Sequence, residues 1–255
     1  MPTYKSAIFH CLIILLLNIS QCNVMAQSEF QGWMNTIIGY NALDQLYLEA
    51  DFEYKRLLSP SDDPWNNLDI TLLGEYYPVR LLDLSIEIIN GKTRQSSDLS
   101  TYEATQRLGA RWYILQRGHN LFKLSAGTDG APKRFELSNF VRFEHRNFDY
   151  YDDMDPKQEW RFRNRTQFVA ALNKKSFNEN RMIRMLADIE FFIPFGKDIT
   201  ERYASKYRLR VGPGYRHNYR WRFDLFYQLD SSRDDIHDRF NVSTHMIDLR
   251  VILVF

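Results

Sequence analysis

The side chains that could support catalysis are few and scattered along the sequence. No two of the five histidines after residue 26 have the helical or hairpin spacing that is typical of a metal site. These histidines are His119, His145, His217, His237 and His245. The sequence also lacks a Gly-x-Ser-x-Gly nucleophile elbow and a glycine-rich phosphate loop. We therefore predict that the protein is not an enzyme, and we predict no catalytic residue, no cofactor and no metal site.

Two features still require a chemical role to be weighed. A barrel enzyme acting on lipids would place a histidine and a serine together on its outer face, but Ser138 has the opposite phase from His145. An interfacial or structural role is favoured for His145. Asp152, Asp153 and Asp155 could offer oxygen ligands to a divalent cation, but they lack the spacing of a known calcium loop. A solvated acidic loop is the favoured interpretation there.

Charged residues at every second position form the clearest pattern in the sequence. They alternate with apolar residues, as expected for strands with one polar face. Rows on successive strands of an antiparallel meander are neighbours, and arginines of one row can then face carboxylates of the next, which is favourable. We predict that these rows form a lumen charge network with ten members: Arg142, Glu144, Arg146, Arg161, Arg163, Arg165, Asp188, Glu190, Arg208 and Arg210.

Long strands are needed to position such rows, and the dominant period of the sequence after residue 28 is two. The pattern predicts about twelve strands, although the segment 121–126 could instead extend a neighbour. The predicted strands are 33–40, 46–55, 68–77, 82–90, 102–115, 121–126, 135–146, 159–172, 181–193, 205–211, 219–229 and 244–255. Turns are predicted from glycine, proline and aspartate clusters at 59–64, 90–91, 128–132 and 212–214.

Alternation alone is compatible with two barrels of opposite polarity. A lipocalin-like barrel buries its apolar face, whereas a membrane barrel turns that face to lipid and lines its lumen with the polar face. Tryptophans near the predicted strand ends favour the membrane barrel, because aromatic girdles mark membrane interfaces. They are Trp33, Trp65, Trp112, Trp160 and Trp221. The last strand carries in-phase apolar residues that resemble the signal read by outer-membrane assembly machinery: Ile247, Leu249, Val251, Leu253 and Phe255.

The expected fold is all-β: a single closed antiparallel transmembrane β-barrel with an up-and-down meander. Closure removes strand edges, whose unpaired backbone groups are costly in lipid. It also argues for an even strand count, with both ends of the barrel domain on the periplasmic side. The brief link 77–80 resembles a periplasmic turn, and its phase places the segment 91–101 on the outside.

Residues 1–26 are predicted to be a secretory signal peptide, and 27–255 the barrel domain. Lys5 precedes an apolar run from Ile8 to Ile19 that is short for a membrane span, and residues 24–26 resemble a cleavage site. Both cysteines lie in this leader, so the mature chain would have no disulfide or thiolate site. Without Lys5 the chain has 33 − 1 = 32 basic against 32 acidic side chains, which is no electrostatic footprint for nucleic acid.

Four segments of the charged rows carry a resemblance to a known family. They are Arg142-Phe143-Glu144-His145-Arg146, Arg161-Phe162-Arg163-Asn164-Arg165, Glu190-Phe191 and Arg208-Leu209-Arg210-Val211-Gly212. The pattern resembles domain-of-unknown-function family 2490 and spans about 33–255. The resemblance implies an outer-membrane barrel and no established activity. The stretch 125–134, with Gly127, Gly130 and Pro132, departs from the family pattern.

Three functions are compatible with these features. The first is a porin-like outer-membrane barrel with a charged lumen, either structural or a channel for small solutes. The second is an outer-membrane barrel enzyme that acts on lipids, and the third is a soluble secreted barrel that binds a ligand in an apolar pocket. The expected partners are outer-membrane lipid and, during biogenesis, the outer-membrane assembly machinery, with no nucleic acid. The sequence does not predict an oligomeric state.

Overall fold

Eleven β-strands make up the computed structural model, which describes residues 29–58, 65–79, 81–95, 100–115, 134–151, 155–195, 206–233 and 240–255. The strands are β1 (Glu29–Leu43), β2 (Leu46–Leu57), β3 (Asn66–Val79), β4 (Leu82–Arg94), β5 (Ser100–Leu115), β6 (Phe135–Tyr150), β7 (Lys157–Ala171), β8 (Met182–Phe195), β9 (Lys206–Arg216), β10 (Trp221–Ser232) and β11 (Asn241–Val254). Within these residues, no helix is long and apolar enough to cross a membrane. The predicted leader 1–26, the predicted strand 121–126 and the predicted turns 59–64 and 128–132 lie outside the described residues.

The alternating sequence gives each strand one apolar and one polar face, and the apolar face points outward. In β4, Leu84, Ile86 and Ile88 are exposed, whereas Ser85 and Glu87 between them are buried. Among the described residues, 41 large hydrophobic side chains are exposed and 16 hydrophobic residues are buried. The polarity of the molecule is therefore the reverse of that expected when a barrel stores its apolar side chains inside.

The strands form one closed ring in which chain neighbours pair in antiparallel fashion. β1 and β11 complete the ring by pairing in parallel, with Trp33 opposite Asp248 and Gly39 opposite Val254. The predicted closed all-β meander is confirmed. The closing pair is parallel, rather than antiparallel as expected, because an odd number of strands leaves β1 and β11 running in the same direction.

The described part of the chain has eleven strands, so the expectation of an even strand count is wrong for it. Because β1 and β11 are parallel, Glu29 at the start of β1 and Phe255 after β11 mark opposite ends of the barrel. We call these the Glu29 end and the Phe255 end. The two-residue connection 44–45 and the four-residue connection 217–220 both lie at the Phe255 end, as does the loop 172–181 between β7 and β8. The link between β3 and β4 also lies at this end, opposite the connection that follows β4.

Two predicted turns are wrong, because strands continue through them. β4 passes through Asn90 and Gly91, where a Cβ on Gly91 would collide with the Asp69 side chain of β3, so the glycine leaves room for that carboxylate. β9 passes through 212–214. The ladder between β9 and β10 is interrupted between Val211 and Gly214, around a proline that has no backbone N–H to donate.

A charged lumen as the candidate functional site

The inward-facing side chains of the eleven strands enclose a cavity of about 620 Å³. This volume lies within the range of small-molecule sites, which is about 300–1,000 Å³. Most of its lining is polar or charged, and arginines and carboxylates predominate. The cavity therefore differs from the apolar pocket expected of a soluble ligand-binding barrel.

The structure brings the ten residues of the sequence-derived network to the inner face of β6, β7, β8 and β9. Nine line the cavity: Arg142, Arg146, Arg161, Arg163, Arg165, Asp188, Glu190, Arg208 and Arg210. The tenth, Glu144, is fully buried beneath them. Their common phase in a period-two pattern places them on one face, and the antiparallel register places the rows side by side.

Glu144 and Glu190 are the two centres of this network. Glu144 accepts hydrogen bonds from Arg163 Nη1 at 2.7 Å and Arg161 Nε at 2.6 Å, and its Oε1 lies 2.6 Å from Arg107 Nε. Glu190 Oε2 accepts a hydrogen bond from Arg163 Nη2 at 2.7 Å, and Arg142 donates to its Oε1. Arg163 thus bridges the two carboxylates, which are almost completely buried.

Further pairs extend the network around the ring. Arg210 donates to Asp188 with Nε at 2.9 Å, which joins β9 to β8. Arg184 of β8 donates through Nη2 to both oxygens of Asp224 on β10, at 2.9 and 2.8 Å. Each of these pairs links two strands on the inner face of the barrel, so the ionic side chains form part of the packing of the barrel.

Several members of the network were missed by the sequence analysis: Arg184 and Asp224, described above, and a group on β4 and β5. Arg107 Nη1 donates to Glu87 at 3.0 Å, and Glu103 Oε1 and Oε2 accept from Arg146 Nε and Nη2 at 2.9 and 3.0 Å. Glu103, Arg107 and Arg111 lie on the same face of β5, so the period-two alternation could have identified them as inward-facing residues. Which rows they would meet depends on the register between β5 and β6.

Two clusters of buried apolar residues lie on the inner face toward the Phe255 end, and several of their members also line the cavity. One cluster consists of Ile37, Tyr47, Tyr77, Ile252 and Val254, and the other of Val169, Ala171, Phe177, Met182, Leu186 and Phe226. We call the two clusters together the floor. Phe177 belongs to the loop 172–181, and Arg216 Nη1 donates to its carbonyl oxygen at 2.8 Å. The loop is thereby held against the inner face of the barrel at this end.

The outer face carries His145 and the apolar row of the last strand. His145 stacks on Trp160 with ring centroids 4.3 Å apart, while Ser138 is buried on the inner face, so the two do not meet. The five terminal apolar residues 247, 249, 251, 253 and 255 share the outer phase of β11 and its end. Phe255 N donates to the Gly39 carbonyl at 2.9 Å, so β1 holds the end of the chain in the ladder.

The expected placement of tryptophans at the interfaces is wrong for two of the five. Trp33 and Trp65 line the cavity, and Lys55 Nζ lies 4.7 Å from the ring centroid of Trp33. Trp33 belongs to the alternate residues of β1 that point inward. This decides the direction of its side chain, although the residue lies near a strand start. Trp112, Trp160 and Trp221 are exposed on the outer face. Among the described residues, no group of three or more histidine, cysteine or carboxylate side chains is arranged to hold a metal ion, and Asp152 and Asp153 lie outside those residues.

Comparison with known proteins adds one match. A family model described as "Protein of unknown function (DUF2490)" matches residues 100–241, which is more than half of the chain. This range begins at β5 and reaches the first residue of β11, so it contains all ten residues of the sequence-derived network. A search of curated proteins found no match.

Replacing Glu144 with Gln tests whether the network stabilises the barrel. The substitution removes the only carboxylate partner that Arg161 has among the described residues and weakens the positions of Arg107 and Arg163. Because breaking a buried ion pair costs about 3–5 kcal/mol, we expect a loss of that size in the free energy of unfolding. Urea unfolding of the purified protein, followed by circular dichroism, measures it.

Glu159→Gln is the matched control for this experiment. Glu159 also pairs with an arginine, Arg146, but its side chain is 30% exposed and Arg146 keeps Glu103 as a partner. We expect a loss of less than about 1 kcal/mol for the control. Equal losses in the two variants would contradict a stabilising role for the buried centre.

Proposed function

The chain belongs to the DUF2490 family of proteins of unknown function, and we propose that it is a bacterial outer-membrane β-barrel whose charged lumen holds small polar solutes. The observation that carries the proposal is the reversed polarity of the barrel. Apolar side chains cover its outside, and paired charges fill its inside. In water such an outer surface would be far larger than the apolar patches that soluble monomers expose.

A continuous apolar row illustrates the fit to lipid. Ile86 of β4 lies opposite Leu108 of β5, Leu108 opposite Phe143 of β6, and Phe143 opposite Phe162 of β7. All four side chains belong to the outer face. The strands are 11 to 16 residues long, and a tilted strand needs about 9–11 residues to cross a bilayer. Closure of the ring leaves no strand edge unpaired in the hydrocarbon, where each free group is costly.

Aromatic side chains mark both rims of the outer surface. Trp160 and Phe195 stack near the Glu29 end, at the start of β7 and the end of β8. Trp221 and Phe223 stack near the Phe255 end, at the start of β10. The indole ring, which has one polar edge, favours the two membrane–water interfaces, and Trp160 and Trp221 occupy the corresponding positions.

The proposed orientation places the Phe255 end in the periplasm. Short connections are typical of the periplasmic side of such barrels. Three of the five connections at this end have two to four residues and the other two have 10 and 19, whereas all five at the Glu29 end have at least five. The leader 1–26 would direct export, and the outer-membrane assembly machinery would recognise the apolar row that ends at Phe255. The cavity would then face the outside, above the periplasmic floor.

The floor favours a binding cup over an open pore. Its residues are buried, and Phe177 of the loop 172–181 packs among them near the Phe255 end. A solute entering from the Glu29 end would meet charged walls and then an apolar base. We therefore propose that solutes are held in the lumen, and that passage requires movement of the loop 172–181.

Leu108→Arg tests the membrane assignment. Leu108 is 62% exposed at the middle of β5, so in water its replacement would change stability by only about 0.5 kcal/mol. In a bilayer, an arginine at mid-depth costs about 2–4 kcal/mol. We expect the larger loss when unfolding is measured by urea titration of the protein in phospholipid vesicles. Leu43→Arg, at a 67% exposed position at the strand end, should cost only about 0–1 kcal/mol; equally small losses for both variants would argue against a lipid-facing surface.

Phe255→Ala tests the assembly signal while keeping the backbone hydrogen bonds of residue 255 with β1. We expect several-fold less heat-modifiable barrel in the outer-membrane fraction, because the terminal aromatic ring is lost. Phe255→Tyr keeps the ring and should assemble at the wild-type level. Undiminished assembly of the alanine variant would remove the role proposed for this side chain.

Phe177→Ala tests the floor. We expect the wild-type protein to show no steady conductance in planar bilayers, and the variant to open frequent conducting events because the apolar block has lost its loop residue. Phe168→Ala, which shortens an exposed side chain on the outer face of β7, should behave like the wild type. A steadily conducting wild-type barrel that Phe177→Ala leaves unchanged would contradict the cup.

A further inference from the structure

One side of the lumen is rich in carboxylates and the opposite side is rich in basic residues, which there alternate with the carboxylates of β8 and β10. β2, β3 and β4 present one lysine, Lys55, and six carboxylates, which we call the acidic wall: Glu49, Asp51, Glu53, Asp69, Glu75 and Glu87. β7 and β9 present to the cavity six basic residues, the basic wall: Arg161, Arg163, Arg165, Lys206, Arg208 and Arg210. In a ring of eleven strands β8 lies across from β3, so the two walls face each other.

Most of these charges have partners close to their own wall. Lys55 Nζ lies 2.6 Å from Asp69 Oδ2 and also pairs with Glu53. On the other side, Arg210 pairs with Asp188 of β8, and Arg208 Nε lies 2.7 Å from Asp230 Oδ1 of β10. These charges are already paired, so a ligand would bind to the lumen charges that have no such partner.

Asp51 and Arg165 are the clearest such charges. Within the described part of the chain, neither side chain makes a hydrogen bond or an ion pair within 4 Å, and Asp51 Oδ1 and Arg165 Nε are buried without a partner. Arg165 is held near the Phe140 ring, with its guanidinium carbon 5.3 Å from the ring centroid. Both residues line the same cavity, and β2 and β7 are five steps apart in the ring, the largest separation that eleven strands allow.

We propose that the lumen binds a small zwitterion, with the carboxylate of the ligand at Arg165 and its ammonium group at Asp51. The planar fork of an arginine suits a carboxylate, and an ammonium group donates three hydrogen bonds that a carboxylate can accept. A ligand with only one charge would leave the opposite side chain unmatched. The inference deepens the proposed function and rests on it, because it names the class of solute that the membrane-enclosed cup holds.

A ladder of peptides tests the proposal with the full-length barrel refolded in detergent micelles. Glycine, diglycine, triglycine and tetraglycine are titrated by isothermal calorimetry, since each extended residue adds about 3.3–3.6 Å between the two charged ends. We expect at least one member to bind. Its N-acetylated and C-amidated forms, which each lack one charge, should bind at least tenfold more weakly.

Two variants assign the ends of the ligand. Arg165→Gln should weaken binding of the peptide at least tenfold, yet weaken binding of its amidated form no further, because the partner carboxylate is already gone. Asp51→Asn should weaken binding of the parent peptide at least tenfold and weaken binding of the N-acetylated form no further, because the partner ammonium group is already gone. Arg220→Gln, which removes an exposed arginine outside the cavity, should leave the affinity within twofold.

The outcomes separate this inference from the proposed function. Heat-modifiable migration and membrane fractionation of the same variants report whether the barrel assembles in the membrane, independently of any ligand. An assembled barrel that binds none of the peptides would overturn the zwitterion site and leave the membrane assignment intact. Equal affinity for a singly charged form and its parent would overturn it as well, as would a loss on Arg165→Gln that persists in full with the amidated peptide.

Discussion

Neutralisation of enclosed charge is the constraint on which the rest of this structure depends. Closing a sheet into a ring sends every second side chain inward, and in this sequence those side chains are mostly ionic. A buried charge without a partner is costly, so the rows can share a lumen only if they complement each other strand by strand. Arg163, placed between Glu144 and Glu190, is the point where three successive strands meet this requirement.

Strands and their phase could be read from the sequence, because both follow from a period of two that is local. The ten network residues came from that phase, and the structure places them on one inner surface. Their partners on β4 and β5 could not be identified in the same way, because pairing of Arg107 with Glu87 depends on inter-strand register. Trp33 was assigned to an interface from its position near a strand start, although its phase turns it toward the lumen.

Features that break the alternation were the ones that the sequence concealed. Glycine at 91 and at 212 looked like turns, but there they provide space for a neighbouring side chain or strand. Phe177 is a lone aromatic residue in a polar loop, and only the fold reveals that it packs with Leu186 and Phe226 in the floor. The buried apolar clusters of the interior lie toward the Phe255 end, beside buried charged residues of the same end.

The parallel seam between β1 and β11 shows how closure and charge neutralisation are linked. Parallel ladders are slightly less stable per residue than antiparallel ones, and here a side chain reinforces the seam. Asp248 of β11 accepts hydrogen bonds from Asn35 of β1 at 2.7 Å, from Gln228 of β10 at 3.0 Å and from Arg250 Nε of its own strand at 2.8 Å. One fully buried carboxylate therefore joins three strands at the junction between the first and last strands of the ring. The seam thus combines a continuous backbone ladder with inward polar groups that neutralise each other.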